Sequence, residues 1–316
     1  MFKKISPYLE GLLISFEPSN CVSLARVVSN CSHDSLSRIL KNKAFEWQTL
    51  LQTLVLRIAG KLQGGYLVID DTVIDKSFAT IIENLSWIFC SKENRSVFGL
   101  NIVVLVWSNG TYTLPLAIKI WKKNSGKSKY DFALELLDYA RNTLFLRPDY
   151  VVFDSWYASE KIIKTLSEYH WTFFTQLKKN RLFDGKQVRY RHKHPYWIEK
   201  GQIYTDIEVI VVKHGRKYFV TNDLSLSKQE IRDIYKTRWV IETMFRLLYD
   251  QIGIGQCQSF SLQAQTAHVH LCMMTVVLLE KAREMTEKTE YDFKRTCSFY
   301  PEMTKEIMET YVLEGA

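Results

Sequence analysis

Three short segments of this chain place acidic side chains where a fold could gather them. Two are apolar runs ending in aspartate and the third sets a glutamate among apolar and basic residues: LVIDDT at 67–72, VVFD at 151–154 and YKTRWVIETMFR at 235–246. Carboxylate oxygens are the ligands that hard divalent cations prefer, and metals held in this way assist displacement at phosphorus. The segments therefore predict a carboxylate cage for divalent metal, with nucleic-acid phosphoryl transfer as the leading chemistry.

The two aspartates follow runs that are typical of central β-strands. Asp70 comes after YLVI and Asp154 after YVVF. A charged residue directly after such a run is expected at the carboxyl edge of the sheet, where α/β proteins place their sites. If the strands are parallel neighbours, the carboxylates meet and their repulsion calls for a cation. Taken singly, either aspartate is explained equally well as a helix or turn cap.

The glutamate segment has the spacing of one helix face. At 100° per residue, Tyr235, Arg238, Glu242, Arg246 and Tyr249 fall within a narrow sector. The remaining positions are largely apolar, which predicts a helix buried nearly all round, and buried polar groups need partners. Glu242 is therefore a candidate metal ligand, and the two arginines are candidates for binding phosphate or the glutamate itself. The alternative is a Glu/Arg ladder that faces solvent.

Basic charge is concentrated in two regions. The net charge is +8, which favours a polyanionic partner without specifying a fold. Residues 176–217 carry eleven Lys and Arg against four Asp and Glu, and residues 1–64 carry eight against four, whereas 278–316 carry six against nine. The first two regions are candidates for nucleic-acid contacts. A solvated basic surface without a partner gives the same counts.

Patterning predicts helices, then a sheet, then helices again. Helices are expected at 23–29, 35–42 and 45–62, forming either a DNA-end binding module of helix-turn-helix type or a cap on the core. Strands are expected at 66–69, 97–107 and 111–121, the last two joined at Asn109-Gly110. A helix at 130–144, a strand at 150–153, a helix at 159–169 and a strand at 171–177 follow. Further strands are expected at 188–191, 203–212 and 217–221.

Other signals exclude several classes of protein. Six cysteines lie far apart without paired metal-ligand spacing, so reduced thiols are expected. No apolar run approaches the ~20 residues of a membrane span; the stretch 271–279 is expected to be a buried helix. The N-terminus lacks the pattern of a secretory signal, and no glycine-rich nucleotide loop occurs. We expect a cytoplasmic, nucleoid-associated protein without membrane contact.

These segments resemble the DDE transposases of bacterial insertion sequences, in particular the insertion sequence 4 type. In that type the glutamate helix carries Tyr, two residues, Arg, three residues, Glu, six residues, Lys. Tyr235, Arg238 and Glu242 match, whereas the lysine position holds Tyr249. The resemblance extends over about residues 66–270 and includes IDDT at 69–72 and FD at 153–154.

The resemblance implies an RNase H-like mixed α/β sheet flanked by helices. It implies a β-rich insertion between the second aspartate and the glutamate. The chain then divides into a helical module at 1–64, a first part of the catalytic core at 65–177, a basic β-rich insertion at 178–225, the glutamate helix region at 226–275 and a C-terminal helical tail at 276–316.

The resemblance also implies the site. Asp70, Asp154 and Glu242 would hold two Mg²⁺ ions, with Mn²⁺ as a substitute, one activating water or a DNA 3′-hydroxyl and the other stabilising the leaving oxygen. Tyr235 and Arg238 would position the DNA backbone. Asp71 competes with its neighbour as a ligand, and Asp70 agrees better with the motif.

Tyr249 departs from the family pattern, since a tyrosine offers a hydroxyl without charge. Our hypothesis is that Arg246, Lys178 or Lys179 takes over the phosphate contact of the family lysine. Trp197 and Tyr196 are candidates for stacking on a flipped base, although a tryptophan in such an insertion is more often part of the core.

The predicted function is that of a transposase that cleaves double-stranded DNA at the terminal inverted repeats of an element and joins it to target DNA. Because two ends must be joined, a homodimer is expected. Two alternatives remain: a catalytically inactive or repurposed transposase-derived DNA-binding protein, and a metal-dependent DNA nuclease unrelated to transposition.

Overall fold

A helical unit opens the chain. The computed structural model describes residues 1–79, 81–90, 94–123, 125–204, 206–286, 288–299 and 301–313. The first four helices are α1 (Phe2–Ile14), α2 (Cys21–Val27), α3 (His33–Leu40) and α4 (Trp47–Ala59). Asn20 caps α2 and Ser32 caps α3, each accepting hydrogen bonds from the first helical N–H groups. The prediction missed α1, whose Pro7 is a poor helix former, but α1 packs on the later helices.

The centre of the protein is one mixed sheet. Within the described residues nine strands form it, in the order β2-β3-β1-β5-β6-β11-β10-β9, with β4 paired to the second half of β3. The first six strands are β1 (Tyr66–Asp75), β2 (Ser86–Cys90), β3 (Arg95–Ser108), β4 (Thr113–Trp121), β5 (Tyr150–Phe153) and β6 (Phe173–Gln176). Helices α5 (Lys129–Asp138) and α6 (Glu160–Glu168) lie between β4, β5 and β6 in the chain. The predicted hairpin and helix–strand alternation are confirmed.

The basic segment continues the same sheet. A small hairpin, β7 (Leu182–Phe183) and β8 (Lys186–Gln187), precedes β9 (Tyr196–Ile203), β10 (Ile207–His214) and β11 (Lys217–Thr221). Strand β11 pairs with β6, so these strands extend the core sheet in antiparallel fashion. The strand predicted at 188–191 is wrong, since residues 188–190 form a 3₁₀ turn. Of the strand predicted at 203–212, Ile203 ends β9 and residues 207–212 belong to β10, while residue 205 lies outside the described residues. The division of the chain into five regions stays a prediction.

The glutamate segment is two helices rather than one. Helix α7 (Lys228–Lys236) and helix α8 (Trp239–Leu247) are joined by Thr237 and Arg238, whose N–H groups bond to carbonyls three residues back. This tighter turn keeps the right-handed path. The prediction of a helix buried all round is wrong: Ile241, Met244 and Leu247 are buried, while the opposite side, with Trp239 57% exposed, faces solvent.

A long helix fills the core beside the sheet. Helix α9 (Leu262–Thr286) packs against α1, α4 and β4, and the predicted buried stretch 271–279 lies in its middle. Among the described residues it is the one helix long and apolar enough to cross a membrane, and 83% of its apolar window is buried in the protein. The helical unit at 1–64 thus packs on the core, and its binding to DNA stays a prediction. All six cysteines are free thiols, as expected.

The C-terminal helices close over the N-terminal one. Helix α10 (Glu290–Phe299) packs against α9 and α1, and α11 (Pro301–Ile307) follows it. Lys294 of α10 is buried, and its Nζ donates to the Leu12 carbonyl at 2.6 Å. That carbonyl belongs to the last turn of α1, where carbonyls lack helical partners and a positive charge is favoured. Burial nevertheless lowers the pKa of Lys294 to about 8.

Stability should depend on pH through Lys294. The unfolded chain, with an ordinary lysine pKa, binds more protons than the folded chain between about pH 8 and about pH 10.5. The wild type should therefore gain stability relative to Lys294→Met as the pH rises through that window. Urea unfolding of both proteins at pH 7, 8.5 and 10 measures this difference. A stability difference that does not change with pH would contradict a lowered pKa of Lys294.

Candidate functional site

The register of two parallel strands brings the aspartates together. Ile69 of β1 pairs with Phe153 of β5, so Asp70 and Asp154 are the next residues along the two strands. The two strands are parallel neighbours, the condition under which the carboxylates were expected to meet, but the expectation that Asp70 ends its strand is wrong. Strand β1 continues to Asp75 because β3 pairs with it along its whole length, whereas β5 stops at Phe153. Asp70 therefore lies inside a long strand and beside the end of a short one.

Asp154 begins a turn that fixes its side chain. Its Oδ1 accepts hydrogen bonds from the backbone N–H groups of Trp156 at 2.8 Å and Tyr157 at 3.3 Å. Its carbonyl accepts from the hydroxyl of Thr175 in β6 at 3.1 Å. Asp154 thus has the Asx-turn geometry in which the side chain bonds to the backbone two residues on. Its role as a turn cap, one of the alternatives considered for it, coexists with its position beside Asp70.

Arg238 joins the first aspartate to the glutamate. Its Nη1 donates to Asp70 Oδ2 at 2.8 Å, and its Nη2 donates to Glu242, one helical turn ahead in α8. The side chains of Asp70, Arg238 and Glu242 are 17%, 18% and 32% exposed. The Glu/Arg pair therefore faces the sheet rather than solvent. One guanidinium bridges β1 and α8, and its charge also acts on Asp154.

Burial disfavours ionisation of both aspartates, and the charge of a neighbouring carboxylate adds to this at each of them. Burial is the main cause that raises the pKa of Asp70 to about 8, with the charge of Asp154 adding to it and Arg238 opposing it. Burial also raises the pKa of Asp154, while the N–H groups of Trp156 and Tyr157 and the charge of Arg238 oppose that rise. A cluster of this kind is stabilised by further positive charge.

The donor set fits a hard divalent cation. Three carboxylates from β1, from the turn after β5 and from α8 supply the oxygen ligands that Mg²⁺ and Mn²⁺ accept. In the part of the chain that the structure describes, no three Asp, Glu, His or Cys side chains stand close enough to hold a metal as they are. The cation between Asp70 and Glu242 is the Arg238 guanidinium, so metal binding there requires it to release at least one carboxylate.

Asp71 belongs to a separate network. Successive strand residues face opposite sides of a sheet, so Asp71 points away from Asp70. Its Oδ1 accepts from the Tyr157 hydroxyl at 2.8 Å, and its Oδ2 accepts from Asn101 Nδ2 and from Lys129 Nζ, both at 2.6 Å. These contacts occupy both oxygens of Asp71, so its role as a competing ligand is not supported.

Sequence reasoning missed the partners of Asp71. Asn101 lies in β3, Lys129 begins α5 and Tyr157 follows β5, so strand pairing rather than sequence spacing brings them together. One signal was present. The alternation of side chains along a strand already places Asp70 and Asp71 on opposite faces.

The residues predicted to contact DNA differ in how far they are exposed to solvent. Tyr235 is half-buried in the last turn of α7, its ring centroid 5.9 Å from Arg238 Cζ, and burial raises its pKa to about 12. Arg246 lies on the exposed face of α8, over the Trp239 ring, and its contacts do not include Glu242. Lys178 and Lys179 are exposed and follow β6, the neighbour of β5. They lie beyond the edge of the sheet that carries Asp154.

Tyr249 ties the end of α8 to β1. It stands in the π-helical turn that follows α8, and its hydroxyl donates to the Val73 carbonyl at 2.9 Å. The same hydroxyl lies 3.0 Å from Thr72 Oγ1. Tyr249, at the position of the family lysine, therefore makes a hydrogen bond within the protein. Trp197 is partly buried against the rings of His192 and Tyr218.

Comparison with known proteins agrees with this arrangement. The family described as "Transposase DDE domain" matches residues 63–278, which include the two aspartates, Glu242 and the strands and helices that position them. No curated protein matches the chain. The piggyBac transposase, solved by cryo-electron microscopy as a synaptic complex with hairpin DNA, is similar over 98% of this chain and 71% of its own, with a TM-score of 0.61 and 11% identity. That similarity confirms the RNase H-like fold.

A second solved structure is more distant. Endonuclease V of Ciona intestinalis, in complex with an inosine-containing 23-mer DNA, is aligned over 60% of this chain and 86% of its own at 10% identity. Its TM-score is 0.25, so the superposition supports no conclusion. The assignment to the insertion sequence 4 type stays a prediction.

Removing the Tyr249 hydroxyl should weaken the fold and leave DNA binding unchanged. Tyr249→Phe loses the bond to the Val73 carbonyl, and we expect the free energy of unfolding to fall by about 1 kcal/mol. Urea unfolding and the affinity for DNA, measured at one salt concentration, test this. Tyr291→Phe, which truncates a partly buried tyrosine of α10, is the matched control. Severalfold weaker DNA binding at unchanged stability would instead make Tyr249 a DNA contact.

Proposed function

We propose, from the premise that this chain belongs to the DDE transposase family, that it cleaves double-stranded DNA at the ends of an insertion sequence and joins them to target DNA. The observation that carries the proposal is the Arg238 guanidinium that bridges Asp70 and Glu242 next to the strand end that carries Asp154. Asp70 and Glu242 both bond to Arg238, and the same charge acts on the Asp154 carboxylate. A buried anionic cluster with a single bridging cation is suited to binding metal.

Asp70, Asp154 and Glu242 would hold Mg²⁺, with Mn²⁺ as a substitute. When bound, two such ions activate an oxygen nucleophile and stabilise the departing oxygen of an in-line displacement. The nucleophile is water in cleavage and a DNA 3′-hydroxyl in joining. In each step one P–O bond forms as another breaks, the nucleophile gives up its proton, and the departing oxygen gains one.

Arg238 would change partners during this cycle. Its guanidinium holds two carboxylates in the described structure, and its buried Nε–H has no hydrogen-bond partner among the described residues. With its carboxylate partners engaged as metal ligands, its planar donor array would be free to bind a DNA phosphate, which guanidinium groups bind well. Tyr235, packed beside it, would limit the positions that it can take.

The basic edge of the sheet would carry the DNA. Lys178 and Lys179 follow β6 at the edge that holds Asp154, and they begin the segment that is richest in basic residues. Phosphate contacts from lysine and arginine dominate affinity for DNA and fix its position on the protein. Arg246, on the exposed face of α8, would contribute from the other side of the site. Joining two ends would require two copies of the chain.

Loss of the second aspartate should abolish the reaction. Asp154→Asn keeps an oxygen for the Asx turn but removes a ligand charge, so we expect cleavage and joining to fall at least about a hundredfold. The substrate is duplex DNA with the sequences that flank the gene on both sides, incubated with Mg²⁺. Asp138→Asn, which changes an exposed carboxylate of α5, is the control.

The products separate the proposal from its alternatives. Cleavage with joining, lost in Asp154→Asn and kept in Asp138→Asn, supports the transposase. Binding without cleavage in the wild type would favour a DNA-binding protein that has lost catalysis. Cleavage without joining would favour a nuclease.

The two lysines after β6 should contribute to affinity through phosphates. Removing one lysine that binds a phosphate reduces the slope of log K against log salt by about 0.9, so Lys178→Gln with Lys179→Gln should reduce it by about 2. Fluorescence anisotropy of labelled end DNA between 50 and 200 mM salt, roughly the range where such contacts matter, measures the slope. Lys305→Gln, in α11, is the control. An unchanged slope in the double variant would place the DNA elsewhere.

A further inference from the structure

The second aspartate of the site lies outside the regular pairing of the sheet. Pairing between β1 and β5 ends at Ile69 and Phe153, one residue before Asp70 and Asp154. Asp70 stays in a strand that β3 continues to pair, so its backbone is fixed. Asp154 instead opens a turn, and backbone in a turn is less constrained than backbone in a ladder. The distance between the two carboxylates therefore depends on what holds that turn.

The far end of the turn is tied back to β1. Tyr157 is 1% exposed, its N–H bonds to both the carbonyl and Oδ1 of Asp154, and its hydroxyl donates to Asp71 at 2.8 Å. Asp71 is the neighbour of Asp70 in β1. A short path therefore runs from one carboxylate to the other, through Asp71, the Tyr157 hydroxyl and the three-residue turn.

The anchor for this tie is itself rigid. Asn101 and Lys129 each donate to Asp71 at 2.6 Å, so the carboxylate accepts from three side chains on three different elements. Lys129 Nζ also lies 5.1 Å from the centroid of the Trp156 ring, which stacks on Tyr130 at 4.4 Å. Both oxygens of Asp71 are thus hydrogen-bonded, and bonds to an ionised carboxylate are shorter and stronger than bonds between neutral groups. The turn after β5 is thus held against α5 at two adjacent residues.

We propose that the Asp71–Tyr157 hydrogen bond is a positioning device that sets the Asp154 carboxylate at metal-sharing distance from Asp70. The proposal rests on the function proposed above. Neither residue contacts DNA or metal; both act through Asp154. Substitution of residues that orient metal ligands from outside typically lowers metal affinity or activity about ten- to a hundredfold.

Tyr157→Phe removes one hydroxyl and keeps the ring in place, which makes it the sharpest test. We expect the Mn²⁺ concentration for half-maximal binding, followed by electron paramagnetic resonance, to rise at least about tenfold. The Mn²⁺ concentration for half-maximal cleavage should rise in parallel. Binding of end DNA in the presence of a chelator should not change, because the hydroxyl is buried. Tyr139→Phe, which loses a comparable bond to Gln52, is the control and should match the wild type.

A second variant tests the hydrogen bonds to Asp71 from β3. Asn101→Leu keeps the branched shape of a fully buried side chain and removes one donor to Asp71. It should raise the Mn²⁺ requirement in the same direction, and it decides the question if Tyr157→Phe does not fold. The double variant Tyr157→Phe with Asp71→Asn should need no more Mn²⁺ than the more affected of the two single variants, because both substitutions interrupt the same connection between the carboxylates.

Failure of the positioning role can be distinguished from failure of the proposed function. Wild-type protein that binds no Mn²⁺ in a manner sensitive to Asp154→Asn would overturn the proposed function, and this inference with it. Wild-type binding that needs Asp154, combined with unchanged Mn²⁺ titrations in folded Tyr157→Phe or Asn101→Leu, would overturn the positioning role alone. Parallel weakening of Mn²⁺ binding in both variants, with DNA binding intact, supports it.

Discussion

Two carboxylates stand side by side where β5 ends against the middle of β1, largely removed from water. The cost of removing these carboxylates from water, to which repulsion between charges adds, is the constraint that the surrounding groups must offset. Arg238, which precedes α8, stabilises Asp70 and Glu242 by donating hydrogen bonds to both. The backbone N–H groups of the turn after β5 stabilise Asp154 in the same way. The unusual pKa of Asp70 shows that the compensation within the chain is incomplete. A site that remains short of positive charge is one that a divalent cation can complete.

The strand that carries Asp70 serves two functions through its two faces. One face presents Asp70 to α8, and the other presents Asp71 to α5 and to the turn after β5. Because side chains alternate along a strand, a shift of one residue in the pairing of β1 would exchange these faces and destroy both. The full-length pairing of β1 with β3 is therefore as important to the site as its carboxylates.

Much of this arrangement could be predicted from the sequence. Apolar runs before Asp70 and Asp154, and the Asn109-Gly110 turn, are local signals, and they predicted the strands and the hairpin correctly, whereas the parallel pairing of the two strands entered only as a condition. The length of β1 could not be predicted, because it is set by its partner β3 rather than by its own polar second half. The break between α7 and α8 lacks a proline or glycine to mark it. The network round Asp71 joins residues far apart in the chain, which periodicity within a window does not detect.

The placement of α9 has a consequence for how the protein is made. Helices α1 and α4 pack against α9, which begins about 200 residues after α4 ends. At about 5–20 residues per second, a ribosome needs about 10–40 s to supply that partner. For this interval the faces of α1 and α4 that pack on α9 lack that partner, so the N-terminal unit emerges first and completes its packing late. The nascent chain therefore offers a hydrophobic surface that a chaperone can shield until α9 has been synthesised.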